Sequence, residues 1–340
     1  MNKALLWIVV GLVLLGGVGV GGRMYATRLM DSRAVTPNVM GMVTPDSAGL
    51  PFARLAFESG DRTLIGWWVR APDVAGATPP AVLFFHGNRS AISDYVPLQK
   101  FFHGQGISSF VFDYTGFGAS GGSPSLARAV SDAGAAARVF ADSAGPEARK
   151  VAFGSALGST VLLQGIDSVQ PHVSGVIVEG VAASVREAAV RDGHVPPFLA
   201  RFLVDIADNV RAARNVRVPI LAVHSYADNR FPIEDAERVL AAVRSRSALV
   251  RHRRPGHSAI LASSRPCDWA QVLDFVKAGT LPAANPDTVD VCVALEEAAT
   301  ARADSIARIN AAAAAAVAER RAAIQRGAST KAAPPAARRP

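Results

Sequence analysis

The stretch that most constrains the fold is a short apolar run that turns directly into a helix between two glycines. Residues 151–155 are typical of a buried strand, and Gly154 and Gly158 flank the turn that follows. Glycines at this spacing let the strand and the helix approach closely, because they carry no Cβ. The pattern is typical of the G-x-S-x-G elbow that presents an attacking serine, but here the middle position is Ala156.

Short apolar runs alternate with helix-like segments through the middle of the chain, at residues 81–85, 107–112, 150–153, 175–179 and 219–224. A predicted two-stranded hairpin, at 52–58 and 63–70, precedes them. The alternation predicts an α/β fold with a mostly parallel central sheet and helices on both faces. Ligands of such sheets bind outside the carboxyl ends of the strands, where the polar motifs of this chain also fall.

The first 30 residues are predicted to hold a membrane anchor. Residues 4–22 are apolar or glycine without a charge, which is long enough to cross a bilayer as a helix. A cleaved signal peptide is disfavoured, because Met24 stands where cleavage requires a small residue. We therefore expect a single-pass membrane protein, and the charges on the two flanks do not decide on which side of the membrane the domain lies.

The remaining chain divides by composition into a linker at 31–50, a folded domain at 51–280 and a tail at 281–340. Within the domain, residues 182–215 interrupt the alternation and predict a short helical cap insertion over the sheet edge. The tail is alanine-rich, so most of it is expected to be helical, with a disordered end. Its apolar stripe is thin, which favours a solvated helix or weak self-association over a second domain.

The composition and the cysteine spacing indicate which partners and cofactors this protein is not expected to bind. The net charge is +8, but the basic residues are spread along the chain rather than clustered, so nucleic-acid binding is not expected. Cys267 and Cys292 have no metal-ligand spacing, and either a pair between them or two thiols fits the sequence. With no phosphate-cradling motif either, we expect no metal and no organic cofactor.

Further motifs stand at the ends of the predicted strands, in a fixed order around the elbow. They are His86-Gly87-Asn88, Asp113-Tyr114-Thr115-Gly116-Phe117-Gly118, His224-Ser225-Tyr226-Ala227-Asp228 followed by Phe231-Pro232, and Pro255-Gly256-His257-Ser258. With the elbow, they make residues 52–278 resemble the α/β-hydrolase superfamily. The resemblance is greatest to membrane-anchored serine hydrolases of the BEM46-like and serine aminopeptidase-like group.

The resemblance implies a role for each matching position. Ala156 occupies the nucleophile position, Asp228 that of the triad acid and His257 that of the base. The oxyanion site would be formed by Leu157, which follows the nucleophile position, together with the loop at Gly87 and Asn88. Such a site attacks an acyl carbonyl with an alcohol whose proton passes to the histidine, while amides stabilise the oxyanion.

Ala156 opens several functional interpretations, because a methyl group has neither a proton to give nor an electron pair with which to attack. The first is a protein of the serine ester, thioester or amide hydrolase type whose hydrolysis is weak or absent. The second is a catalytically silent binding or scaffold protein at the membrane, with a small acyl ligand or a protein partner. The third is hydrolysis by Ser155 or by water that His257 activates. A serine-to-alanine change introduced to trap substrate would leave the same sequence.

Overall fold

The apolar runs form one eight-stranded sheet in the computed structural model of the chain, with the strand order β1-β2-β4-β3-β5-β6-β7-β8. The strands are β1 (Ala53–Ser59), β2 (Arg62–Val69), β3 (Ala81–Phe85), β4 (Ser108–Phe112), β5 (Lys150–Ser155), β6 (Gly175–Glu179), β7 (Ile220–Ser225) and β8 (Ser247–His252). Only β2 runs against its neighbours β1 and β4, and all other pairs are parallel. The predicted mostly parallel sheet is therefore confirmed.

The structure describes residues 21–32, 34–39, 41–73, 76–201, 203–252, 256–258, 260–263, 265–282 and 291–331. Its helices are α1 (21–32), α2 (Val96–Gly104), α3 (Leu126–Ala144), α4 (Leu157–Gln164), α5 (Ile166–Val169), α6 (Val185–Arg191), α7 (Pro197–Ala200), α8 (Asn209–Ala213), α9 (Ile233–Ala242), α10 (Ala270–Ala278) and α11 (Val291–Lys331).

Both faces of the sheet are buried, as a run of consecutive apolar residues predicts. Successive side chains of a strand point to opposite faces, so Leu83 of β3 joins one core and Val82 joins the other. Side chains of α3, α4 and α9 complete the first core, and those of α2 and α10 complete the second. The carboxyl ends of β3, β5 and β6 lie in register, with Phe85 beside Gly154 and Ser155 beside Glu179.

The segment predicted as a linker packs against the domain. Val35 is only 4% exposed and belongs to the first core. The Asn88 side chain accepts a hydrogen bond from the Thr36 amide at 2.6 Å and donates to the Ala34 carbonyl at 3.3 Å. Residues upstream of the predicted start at 51 therefore pack with the domain. Local sequence patterns do not predict these contacts, because they join positions more than fifty residues apart.

The chain divides into two compact units, Met1–Thr288 and Val289–Pro340. The second unit contains α11, which lies in the tail that the sequence predicts to be mostly helical. The predicted disordered end is the final dozen residues; its first three belong to α11, and the others lie outside the described residues.

The predicted anchor also lies almost wholly outside the described residues, which begin at Gly21. Among the helices that are described, none combines the length and the apolar character needed to cross a bilayer. The anchor at 4–22 therefore stays a prediction from the sequence.

Candidate active site

The elbow has the strained backbone of a nucleophile turn even though its apex is alanine. Ala156 has φ 52° and ψ −111°, a region that non-glycine residues rarely adopt. A Cβ on Gly158 would lie 1.9 Å from the Phe85 carbonyl oxygen, and one on Gly154 would lie 2.5 Å from that of Gly158. The two glycines therefore allow the contact between β5, β3 and α4 that holds the turn, and the Ala156 amide donates to the Glu179 carbonyl at 2.9 Å.

Asp228 and His257, which are 29 residues apart in the chain, form a hydrogen-bonded pair. The His257 Nδ1 atom lies 2.9 Å from Asp228 Oδ2. The other carboxylate oxygen accepts the amides of Arg230 and Phe231, at 2.8 and 3.0 Å. Burial alone would raise the pKa of Asp228, but hydrogen bonds from His257 and from the two amides hold it below its ordinary value. An ionised carboxylate thus fixes the ring with Nδ1 protonated and leaves Nε2 as the basic atom.

The elbow and the histidine border the same cavity, of about 430 Å³. Ala156, Leu157 and His257 all line it, and Asp228 stands behind the histidine ring. The edge of the Phe231 ring packs against His257, with ring centroids 4.9 Å apart and planes at 88°. The sequence-derived positions for nucleophile, base and acid therefore come together at the carboxyl edge of the sheet.

The geometry distinguishes the two oxyanion candidates in the loop after β3. The Gly87 amide donates to the Tyr95 hydroxyl at 3.0 Å, so it is already occupied. In the described part of the chain, the amides of Asn88 and Leu157 donate to no protein acceptor, and both residues line the cavity. Asn88 and Leu157 therefore form the pair of donors available to a bound carbonyl oxygen.

Ser155, the alternative nucleophile, borders the elbow cavity but is almost fully buried. It is 1% exposed, and its hydroxyl donates to Glu179 Oε2 at 2.9 Å. The Ser155 Oγ atom also lies 2.9 Å from the hydroxyl of Ser258, the residue that follows His257. Ser155 therefore contacts the loop that carries His257, and the described hydrogen bonds of its hydroxyl are those to Glu179 and Ser258.

Glu179 joins the elbow to the loop that carries His257, a role that the sequence did not reveal. Its Oε1 atom accepts the Ile260 amide at 2.9 Å, while Oε2 accepts the Ser155 hydroxyl. Burial raises the pKa of Glu179 to about 7, against these hydrogen bonds, which lower it. The available signal was its place at the end of β6, directly beside the elbow strand, where a carboxylate is unusual in a buried run.

His86 supports the oxyanion loop from below. It is fully buried, its ring lies 4.2 Å from that of Tyr114, and the Tyr114 hydroxyl donates to its carbonyl oxygen. Burial lowers the pKa of His86 to about 4, so the ring is neutral at pH 7. Asp113 accepts hydrogen bonds from the amides of Ile92 and Ala119, which hold the neighbouring turn in place.

Within the described ranges, no group of three or more His, Cys, Asp or Glu side chains is arranged to hold a metal ion.

Two family models match the chain. The model described as serine aminopeptidase S33 matches residues 77–207, and the one described as TAP-like protein matches 204–290. An uncharacterised protein of Mycobacterium tuberculosis is 30% identical over 204 residues, which cover 59% of this chain and 71% of that protein.

Two fungal relatives and a solved structure extend the comparison. The protein bem46 of Schizosaccharomyces pombe is 22% identical over 56% of this chain and 64% of its own. An uncharacterised membrane protein of Saccharomyces cerevisiae is 29% identical over 47% of this chain and 55% of its own. An esterase structure from Pyrococcus furiosus superposes with a TM-score of 0.57 at 19% identity, over 71% of this chain and 96% of the esterase, which establishes likeness of fold.

Proposed function

The chain belongs to the α/β-hydrolase superfamily, and from this membership we propose that it binds acyl esters, thioesters or amides in a serine-hydrolase site whose acyl-enzyme route is closed by Ala156. The observation that carries the proposal is the hydrogen bond between Asp228 and His257, together with the cavity that His257 shares with the elbow. The acid, the base and the oxyanion amides remain, and the attacking oxygen is missing.

The residues present account for binding and for stabilisation of charge. The amides of Asn88 and Leu157 would donate hydrogen bonds to the carbonyl oxygen of the ligand, and His257 would stand beside the carbonyl carbon with Nε2 as the proton acceptor. With serine at 156, that nitrogen would take the hydroxyl proton as the oxygen attacks, and would return it to the leaving group. With alanine, no covalent intermediate forms, so hydrolysis is expected to be weak or absent.

The same site is compatible with two alternative functions, which we also keep as proposals. A silent binding or scaffold protein would keep the pocket for a ligand or partner and show no turnover under any conditions. A hydrolase that uses water activated by His257 would show slow turnover that depends on that histidine and on Asp228. The partners of Ser155 weigh against this residue as nucleophile, because its hydroxyl is buried against Glu179.

We also propose that the domain works at a membrane surface. The last two residues of the predicted anchor at 4–22 are the first two described residues of α1, in which Met24 and Tyr25 are exposed, at 53% and 70%. Exposed apolar and aromatic side chains next to arginine are typical of the membrane interface. The relative from Saccharomyces cerevisiae, which is named a membrane protein, supports the same location.

The test is to restore the missing atom. We expect Ala156→Ser to hydrolyse p-nitrophenyl butyrate and to react with a fluorophosphonate probe, with the activity of the unaltered chain at least about 10³-fold lower. His257→Ala in the restored background should remove the gain. A folded restored variant without activity would contradict the hydrolase-type proposal. Activity of the unaltered chain that disappears in Ser155→Ala would assign the reaction to Ser155, and one that disappears only in His257→Ala would assign it to water.

A further inference from the structure

Residues 34–38, here called the strap, lie against the loop 87–89 that carries the oxyanion amide of Asn88. The Asn88 side chain bonds to the strap at two points, the Thr36 amide and the Ala34 carbonyl, at 2.6 and 3.3 Å. The backbone adds a third bond, because the Arg89 amide donates to the Thr36 carbonyl at 2.9 Å. The side chain and the main chain of the loop are therefore both bonded to the same short piece of the strap.

The direction of the Asn88 amide depends on its neighbours in the loop. The preceding amide, of Gly87, donates to the Tyr95 hydroxyl at 3.0 Å, and the following one, of Arg89, donates to the strap. Arg89 has φ 58°, in the left-handed region that non-glycine residues rarely adopt and that persists only where surrounding contacts hold it. The strap makes such contacts, so it fixes the course of the backbone that carries the Asn88 amide.

The strap can hold the loop because it is itself attached to the domain on both sides. Upstream of it, the Asp31 side chain accepts a hydrogen bond from the Ala127 amide at 2.8 Å, near the start of α3. At its other end, the Asn38 carbonyl accepts one from the Gly118 amide at 3.0 Å. Between these points, Val35 is buried in the first core. The strap therefore ties the oxyanion loop to α3, to the turn at 113–118 and to the core.

We propose that the strap positions the oxyanion amide, and that the Asn88 side chain is the positioning residue through which the strap holds the loop. The inference rests on the proposed function, because it takes the carbonyl oxygen of the ligand to lie at the Asn88 amide. Asn88 then has two separate tasks, since its side chain binds the strap and its main-chain amide meets the ligand. A hydrogen bond weakens steeply as the donor turns away, and a misplacement of about 1 Å can slow a reaction about a hundredfold. Loss of the strap contacts should therefore lower kcat more than it raises KM.

The full-length Ala156→Ser protein in detergent micelles provides the kinetic test, with p-nitrophenyl butyrate and the corresponding thionoester as substrates. Sulfur accepts hydrogen bonds weakly, so the oxyanion amides favour the ester over the thionoester. Asn88→Ala removes the side chain and keeps the main-chain amide. We expect it to lower kcat for the butyrate by at least about tenfold, with KM changed by less than about twofold, and to lower the ester-to-thionoester ratio of kcat/KM by at least about fivefold. A general loss of folded structure would lower the rates for both substrates by the same factor.

Two matched controls accompany this test. Asn38→Ala removes an asparagine side chain from the strap itself, but the described hydrogen bond of that side chain is only the one from the neighbouring Val39 amide, so kcat and the ratio should not change. Val35→Ala loosens the strap at a residue that is not among the described lining of the elbow cavity, and it should lower the ratio by at least about threefold. Val173→Ala truncates a similarly buried valine of the same core and should leave the ratio unchanged, although it also destabilises the protein.

Hydrogen exchange in the unaltered chain separates this inference from the proposed function, since it needs no turnover. The Arg89 amide, which is bonded to the strap, should exchange at least about threefold faster in Val35→Ala than in Val173→Ala, as measured by mass spectrometry with electron-transfer fragmentation. Equal exchange in these two variants, an equal loss of ester and thionoester activity in Asn88→Ala, or the same loss in Asn38→Ala would overturn the positioning role and leave the proposed function standing. If the restored protein cleaves neither substrate, the proposed function fails and the exchange measurement alone decides: faster exchange of the Arg89 amide in Val35→Ala supports the hold of the strap on the loop, and equal exchange overturns it.

Discussion

Ala156 keeps the backbone of a catalytic elbow without the atom that such a backbone serves. A residue in a sparsely populated φ/ψ region costs on the order of 1–3 kcal/mol and persists only where its surroundings hold it. Here the surroundings are Gly154, Gly158 and the hydrogen bond from the Ala156 amide to Glu179. The strain thus belongs to the turn rather than to the side chain at its apex, which is why restoring serine is a small structural change.

Glu179 gives the molecule a pH-dependent contribution to stability. Its pKa is raised from 4.5 to about 7 in the folded protein, so the folded state binds the proton more strongly than the unfolded state does. The free energy of unfolding should therefore fall as the pH rises from about 4.5 to about 7, by up to about 3 kcal/mol from this residue. Glu179→Gln, which keeps an acceptor for the Ile260 amide, should flatten that part of the profile.

Urea denaturation at several pH values between 4.5 and 8 measures this slope. The comparison variant is Glu234→Gln, at an exposed position in the first turn of α9. It should leave the profile close to that of the unaltered chain in this range. A Glu179→Gln profile that parallels the unaltered chain from pH 4.5 to 7 would show that burial of this carboxyl does not govern the pH dependence.

At the scale of the elements, close packing at glycine decides whether the elbow can form. A Cβ on Gly158 would come within 1.9 Å of a backbone oxygen of β3, a contact that side-chain rotation cannot relieve. We expect Gly158→Ala to lower the free energy of unfolding by at least about 3 kcal/mol, or to prevent folding, as overpacking against backbone does. Thermal unfolding followed by circular dichroism measures the effect.

Gly104 provides the control for that substitution. It lies at the end of α2 with nothing within 4 Å of an added Cβ. Gly104→Ala should be neutral or should stabilise the protein by up to about 1 kcal/mol, since alanine favours a helix. Equal effects of the two substitutions would mean that the close approach of α4 to β3 does not limit the fold.

The elements that could be predicted are those that a local sequence pattern specifies. Runs of apolar residues predict the buried strands β3, β5 and β6, and the spacing of two glycines predicts the elbow. Three features have no such local signal: the packing of Val35, the hydrogen bonds between Asn88 and segment 34–36, and the hydrogen bonds of Glu179 to the loop that carries His257. They join residues that are 52 to 81 positions apart, and only the folded sheet edge brings them together.

At the scale of the whole molecule, the sequence offers two physical reasons for the protein to associate with a membrane. One is insertion of the apolar stretch 4–22, and the other is attraction of a chain of net charge +8 to anionic lipid. Insertion is independent of salt, whereas adsorption weakens as salt screens the charges. The two causes therefore predict different behaviour of the same membrane fraction.

We expect the full-length protein to stay with membranes in 1 M NaCl and in alkaline carbonate, and to be released by detergent. A variant that lacks residues 1–22 should be recovered in the supernatant at physiological salt, because its remaining positive charge is dispersed. A matched variant that keeps the stretch but carries Leu12→Arg and Leu15→Arg should behave like the truncation, since two charges near the centre of the apolar stretch oppose insertion. Release of the full-length protein by salt alone would assign the association to charge.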